Sequence, residues 1–185
     1  MKLEILSKEQ VAAIYKERLV VDFPKDEQKP LSVIHSAMDQ GIYKCFGLMD
    51  GEKIVGYVFL VSLEGEYLVD YVAVNPTMRN QGLGGELLRQ LLLALDGANS
   101  LILEVEDPDK AKTPEERSLQ TRRYEFYLRN HFYDTGVSVS CFGVPFRILA
   151  AENFALHSRD ELLRLYHMHY RAVLPPTLYE GCIQE

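Results

Sequence analysis

The chain has 185 residues, 47% of them hydrophobic and 25% charged, enough apolar material to bury a core and too much for a disordered segment. Acidic residues outnumber basic ones 27 to 20, a net charge of −7, which argues against nucleic acid or an anionic membrane as the main partner and leaves room for cationic ligands such as amines. The longest apolar stretch, residues 54–61, is far short of the ~20 residues of a membrane span. The opening Met1-Lys2-Leu3-Glu4-Ile5 has no apolar signal core. Cys45, Cys141 and Cys182 stand far apart and make neither a disulfide framework nor a CxxC metal site, so buried thiols in a cytoplasmic protein are expected. With no repeat and no long linker, residues 1–185 are expected to be one domain.

The chain opens on a short strand at residues 3–6. Ser7 stands three residues before Gln10, a capping-box spacing, and Val11, Ile14, Tyr15 and Leu19 follow at helical intervals. Residues 22–30 hold two prolines and several charges and read as a loop. Leu31, Ile34 and Met38 suggest a second helix ended by Gly41. Strands follow at 43–49, 53–63 and 67–74, separated by the turn signals Asp50-Gly51 and Glu64-Gly65. The period then changes to 3.6, with Leu83, Leu87, Leu88, Leu91, Leu92 and Leu95 on one face of a helix ending near Gly97.

A fifth strand spans 101–106, with Ile102, Glu104 and Glu106 sharing a face. Thr113-Pro114-Glu115-Glu116 starts a helix that runs to about residue 130. Two strands at 137–141 and 145–150 join through Gly143. Ser158 and Glu161 open a last helix to about residue 173, and the tail after Pro175-Pro176 reads as irregular. The helix between the fourth and fifth strands implies a parallel crossover, and the hairpins imply antiparallel neighbours. The fold class is therefore α/β with a mixed sheet.

The stretch from Val72 to Leu88 carries the chemistry. A buried-looking strand runs through Asn75-Pro76 into a glycine-rich turn that opens an amphipathic helix. Free amides and the positive end of the helix dipole make such a turn an anion site. The spacing is not GxxxxGK[ST], and Gly82-x-Gly84 is followed by Gly85-Glu86-Leu87 rather than completing GxGxxG. The plain alternative is a tight turn with no ligand.

Arg79-x-x-Gly82-x-Gly84, after a strand ending Ala73-Val74-x-Pro76 and before a leucine-striped helix, resembles the acetyl-CoA motif of the GNAT superfamily of N-acetyltransferases. The order of elements resembles that fold over nearly the whole chain, with the last helix an addition. The resemblance implies acetyl-CoA as co-substrate. Its diphosphate would lie on the amides of Arg79, Asn80, Gln81, Gly82, Leu83, Gly84 and Gly85, and its pantetheine arm beside the backbone of Val72, Ala73 and Val74. Phe126-Tyr127-Leu128-Arg129-Asn130-His131-Phe132 is similar to the family's Y-x-x-x-G-F segment. Tyr127 falls where many members protonate the departing thiolate, and His131 replaces the usual glycine.

The reaction so implied is direct attack of an amine on the thioester, which requires loss of a proton from the ammonium. Glu104 and Glu106 rank above Asp70 as the base, against the alternative that these carboxylates pair with Arg122, Arg123 or Lys110. A metal pair is not expected, because His167 and His169 are two apart on a helix. The acceptor is a small-molecule or peptide amine shaped by the loops at 22–30 and 141–146. Leu162, Leu163, Leu165, Tyr166 and Tyr170 either cover the core or form a homodimer face. A non-catalytic acyl-CoA-binding or sensing module and a plain scaffold are the competing readings.

Overall fold

The computed structural model describes residues 1–154 and 157–184. Eight strands alternate with helices in a mixed α/β fold. None of the described helices is long and apolar enough to cross a membrane. The chain forms two compact units, Met1–Leu63 with Val69–Asp96, and Glu64–Leu68 with Gly97–Glu185.

In the first unit, β1 (Lys2–Ile5) leads to α1 (Lys8–Ile14), whose Ser7 cap and Gln10 satisfy each other's amides in the expected capping box. A π-helical turn (Tyr15–Leu19) and α2 (Val20–Asp22) continue the same helical rod, so the helix outlasts the sequence pattern and Asp22 is its last residue rather than a loop residue. Val11, Ile14 and Leu19 bury its inner face. After a 3-10 turn at Lys25–Glu27 comes α3 (Leu31–Asp39), then β2 (Tyr43–Asp50) and β3 (Lys53–Leu63), with β2 antiparallel to both β1 and β3. The second half of β4 (Glu66–Val74) belongs to this unit, as does α4 (Leu83–Ala94).

Leu83, Leu87, Leu88, Leu91 and Leu92 of α4 are all buried, each contributing ~1.5–3 kcal/mol by leaving water. Gly56 of β3 sits tight against the backbone of β4, with α4 at ordinary contact distance. A Cβ there would stand 3.2 Å from the Ala73 carbonyl oxygen and 3.6 Å from Leu87 Cδ2. Gln90 fixes the other side of α4 to β1, accepting from the Leu3 amide at 2.6 Å and donating to the Met1 carbonyl at 3.2 Å.

In the second unit, β5 (Ser100–Glu106) pairs antiparallel with β7 (Val144–Ala151), β7 with β6 (Phe132–Cys141), and β6 with β8 (Ile183–Gln184). Between β5 and β6 lies α5 (Pro114–Leu128), capped by Thr113; α6 (Arg159–Val173) opens on the expected Ser158–Glu161 capping box. Two expectations change here. Strand β6 begins at Phe132, not at 137, because a bulge between Asp134 and Val137 breaks the alternation that marks a strand. The tail is not irregular: α7 (Pro176–Tyr179) turns it back and β8 adds to β6. A strand of two residues carries no periodicity to read. Leu162, Leu163, Leu165, Tyr166 and Tyr170 are buried within the single chain, so that face of α6 covers the core.

Candidate active site

Strand β4 ends where the Asn75 amide donates to the Val55 carbonyl at 2.8 Å. The Asn75 side chain then accepts from the Thr77 amide (3.2 Å) and hydroxyl (3.0 Å), closing a 3-10 turn over Pro76–Met78. Arg79 is extended, and Asn80 and Gly82 take left-handed backbone, with φ of 63° and 79°. Gly82 is the N-cap of α4 and offers no side chain to the first amides. A Cβ on Gly82 would meet nothing within 4 Å. Glycine is therefore needed here for the handedness of the turn rather than for room against the protein's own atoms. The uncapped start of a 12-residue helix presents amides and a positive dipole end to an anion, and the open space over Gly82 fits a diphosphate.

The Arg79 side chain is half-exposed and turned back on the protein. Its Nε donates to the Val74 carbonyl at 3.3 Å and its Nη2 to Asp22 Oδ1 at 3.0 Å. Asp22 Oδ2 also accepts from Arg18 Nη2 (3.2 Å) and the Tyr57 hydroxyl (3.1 Å). Asp22 was read from the sequence only as a loop acid. Arg18 is four residues away, but Tyr57 and Arg79 lie 35 and 57 residues away in the chain, beyond any local pattern.

The three candidate carboxylates sit in different company. Asp70 accepts from Lys29 Nζ at 2.5 Å and from the Tyr43 hydroxyl, with only 4% of its side chain exposed. Glu106 is ion-paired with Arg123 and touched by Gln120, the pairing the sequence held open as its alternative. Glu104, half-buried on β5, accepts from the Tyr166 hydroxyl and, at 2.7 Å, from the Tyr170 hydroxyl. These tyrosines are four apart on α6, which puts both hydroxyls on one face. That spacing was visible in the sequence and was read as covering the core or forming a homodimer face, not as binding a carboxylate. Burial, then the Glu104 charge, push the Tyr166 phenol well above its ordinary value.

Tyr127 lies near the end of α5, its ring against Phe126 (centroids 5.3 Å apart) and Phe132 (6.0 Å). Burial raises its hydroxyl to about 12, opposed by the Arg123 charge. His131 has φ of 65°, the left-handed conformation that the family's glycine position suggests and that histidine tolerates. Its carbonyl accepts from the Glu152 amide at 2.9 Å. A cluster the sequence did not mark surrounds Arg147 on β7, which pairs with Asp107 (2.8 Å), Asp134 (3.0 Å) and Asp109. It ties β6 and β7 to the turn at Pro108–Lys110 that follows β5.

A sequence profile described as an acetyltransferase (GNAT) domain matches residues 41–134, over half of the chain. No curated protein sequence matches. Among solved structures, the chain is similar to an acetyltransferase assigned to the GNAT family from Bacteroides thetaiotaomicron, with TM-score 0.72, 21% identity, and coverage of 94% of this chain and 98% of that one. It is also similar to the ribosomal-protein-S18-alanine N-acetyltransferase of Escherichia coli (TM-score 0.61, 20% identity, 85% and 96%). A Bacillus subtilis acetyltransferase in complex with CoA matches at TM-score 0.57, 13% identity, 84% and 99%. The left-handed turn, the leucine-striped helix behind it and the profile match converge: the chain belongs to the GNAT family of acetyltransferases.

Proposed function

We propose that the protein transfers the acetyl group of acetyl-CoA to the primary amine of a small molecule or peptide, with both substrates bound together. The observation that carries this reading is the uncapped N-terminus of α4, with Gly82 left-handed at its cap and Arg79 extended before it. On this reading the amides from Asn80 to Gly85 hold the diphosphate, and the main chain of Val72, Ala73 and Val74 lines the pantetheine arm. Glu104 takes the proton from the attacking ammonium, directly or through water. The neutral amine nitrogen then bonds to the thioester carbon, the C–S bond breaks as Tyr127 gives its proton to the thiolate, and the second proton shed by the amine nitrogen passes through water to restore the Tyr127 hydroxyl. Glu106 and Asp70, each already ion-paired to a lysine or arginine, serve structure. The CoA-bound Bacillus subtilis relative and the alanine N-acetyltransferase of Escherichia coli support the co-substrate and the amine class. The three buried thiols support a reducing compartment such as the cytoplasm.

The test couples binding to turnover. CoA at 100 times its Kd is expected to stabilise the protein by about 2.7 kcal/mol. Gly82→Val, which forces a β-branched residue into left-handed backbone, is expected to abolish that shift. A thiol-release assay over polyamines, amino acids, aminoglycosides and peptides is expected to find an acceptor. Neither a CoA-dependent shift nor thiol release on any amine would overturn the proposal.

A further inference from the structure

We infer that Asp22 is a positioning residue for the cofactor turn: it holds the Arg79 guanidinium against the Val74 carbonyl and so presets the turn for the diphosphate. The inference rests on the acetyl-CoA reading above and goes beyond the glycine-rich motif to a residue from a different part of the chain.

Asp22 is the last residue of a helical rod, where the dipole is negative and a carboxylate is disfavoured. Its side chain is only 4% exposed, and a buried carboxylate is costly unless it is paired. Three donors offset this: Arg18 and the Tyr57 hydroxyl on Oδ2, and Arg79 on Oδ1. The Arg18 guanidinium also lies 5.8 Å from the centre of the Tyr57 ring. Arg79 is thus divided between two acceptors. Nε is on the carbonyl of the last β4 residue and Nη2 is on Asp22. A bridge of this kind fixes the direction in which the chain leaves β4 and enters the Asn80–Gly82 bend.

The rod is also built to deliver Asp22. The π turn at Tyr15–Leu19 holds one residue more than an α-turn, a feature often found at functional sites. Leu19, the last residue of the turn, is buried in the core, and the turn rephases the three residues that follow so that Asp22 meets Arg79.

The experiment measures CoA binding by calorimetry and acetyl-CoA kinetics for the wild type, Asp22→Asn, Arg79→Ala and the double variant. Arg79 is half-exposed, so its alanine variant tests the bridge without emptying the core. Each single variant is expected to weaken CoA binding about tenfold, the scale of one lost charge-assisted hydrogen bond. The loss should fall on the KM for acetyl-CoA more than on kcat, and the double variant should be no worse than either single one. A purely structural Asp22 would instead lower thermal stability with CoA affinity unchanged, which overturns the inference. So does tighter CoA binding by Asp22→Asn, which would mean that Arg79 leaves Asp22 for the diphosphate, and so do additive effects. A wild type that binds no CoA overturns the acetyl-CoA reading as well. One that binds it equally in all four forms overturns this inference alone.

Discussion

On the proposed reading, Tyr127 is the acid that meets the departing thiolate. With its hydroxyl pushed up to about 12, it remains protonated at every pH where an amine substrate is assayed, and it can give a proton to a thiolate without first acquiring one. Tyr127→Phe is therefore expected to lower kcat about a hundredfold or more, the scale of a lost general acid, with CoA binding intact by calorimetry. The alkaline limb of the wild-type profile should not extrapolate to a group titrating below about pH 11. The left-handed backbone at His131 was legible because it belongs to a short helix end, where a left-handed residue must follow the last turn. The roles of Asp22, Tyr166 and Tyr170 were not. Each depends on a partner far along the chain, and nothing local distinguishes a tyrosine that binds a carboxylate from one that fills a core.

The helices differ in what sustains them. For α4, five buried leucines make the packing decisive, and Leu87→Ala is expected to cost about 2–5 kcal/mol in urea unfolding. By contrast, α5 buries no side chain fully and depends on its ends. Thr113→Ala, which removes the cap on the Glu116 amide (3.1 Å), should cost ~1 kcal/mol. Within α6, His169 is fully buried, with Nδ1 2.7 Å from the Leu165 carbonyl and Nε2 3.1 Å from the Glu66 carbonyl. Burial lowers its pKa from the ordinary 6.5, although both carbonyls pull it up. The unfolded chain then binds the proton first, so this contribution is complete above about pH 6.5 and is lost as the pH falls below it. Melting temperatures should decline from pH 7 to about 5.5, and His169→Gln should flatten that slope. Most elements were readable because caps, turn dipeptides and period changes are local signals. The bulged start of β6 and the two-residue β8 were not, since pairing across the sheet alone defines them.

Across the whole molecule, the three thiols report on folding. Cys45, Cys141 and Cys182 are all buried thiols. Burial and the neighbouring Glu104 push the Cys141 thiol up to about 12, and burial with Asp70 pushes Cys45 higher still. A thiol-specific reagent at pH 8 is expected to leave the native protein unlabelled and to modify all three cysteines in step with unfolding, because the reactive form is the thiolate. Partial labelling without unfolding would show that one region opens alone. The mixed fold was recoverable from sequence because the strands and helices follow one another in an order few architectures accommodate. The π turn at Tyr15–Leu19 bears on which length changes this chain can absorb. Excising one residue there would let an ordinary 3.6-residue repeat deliver the residues beyond it in the same phase. A deletion in the regular turns of α1 (Lys8–Ile14) would instead swing them by about 100° and carry Asp22 away from Arg79.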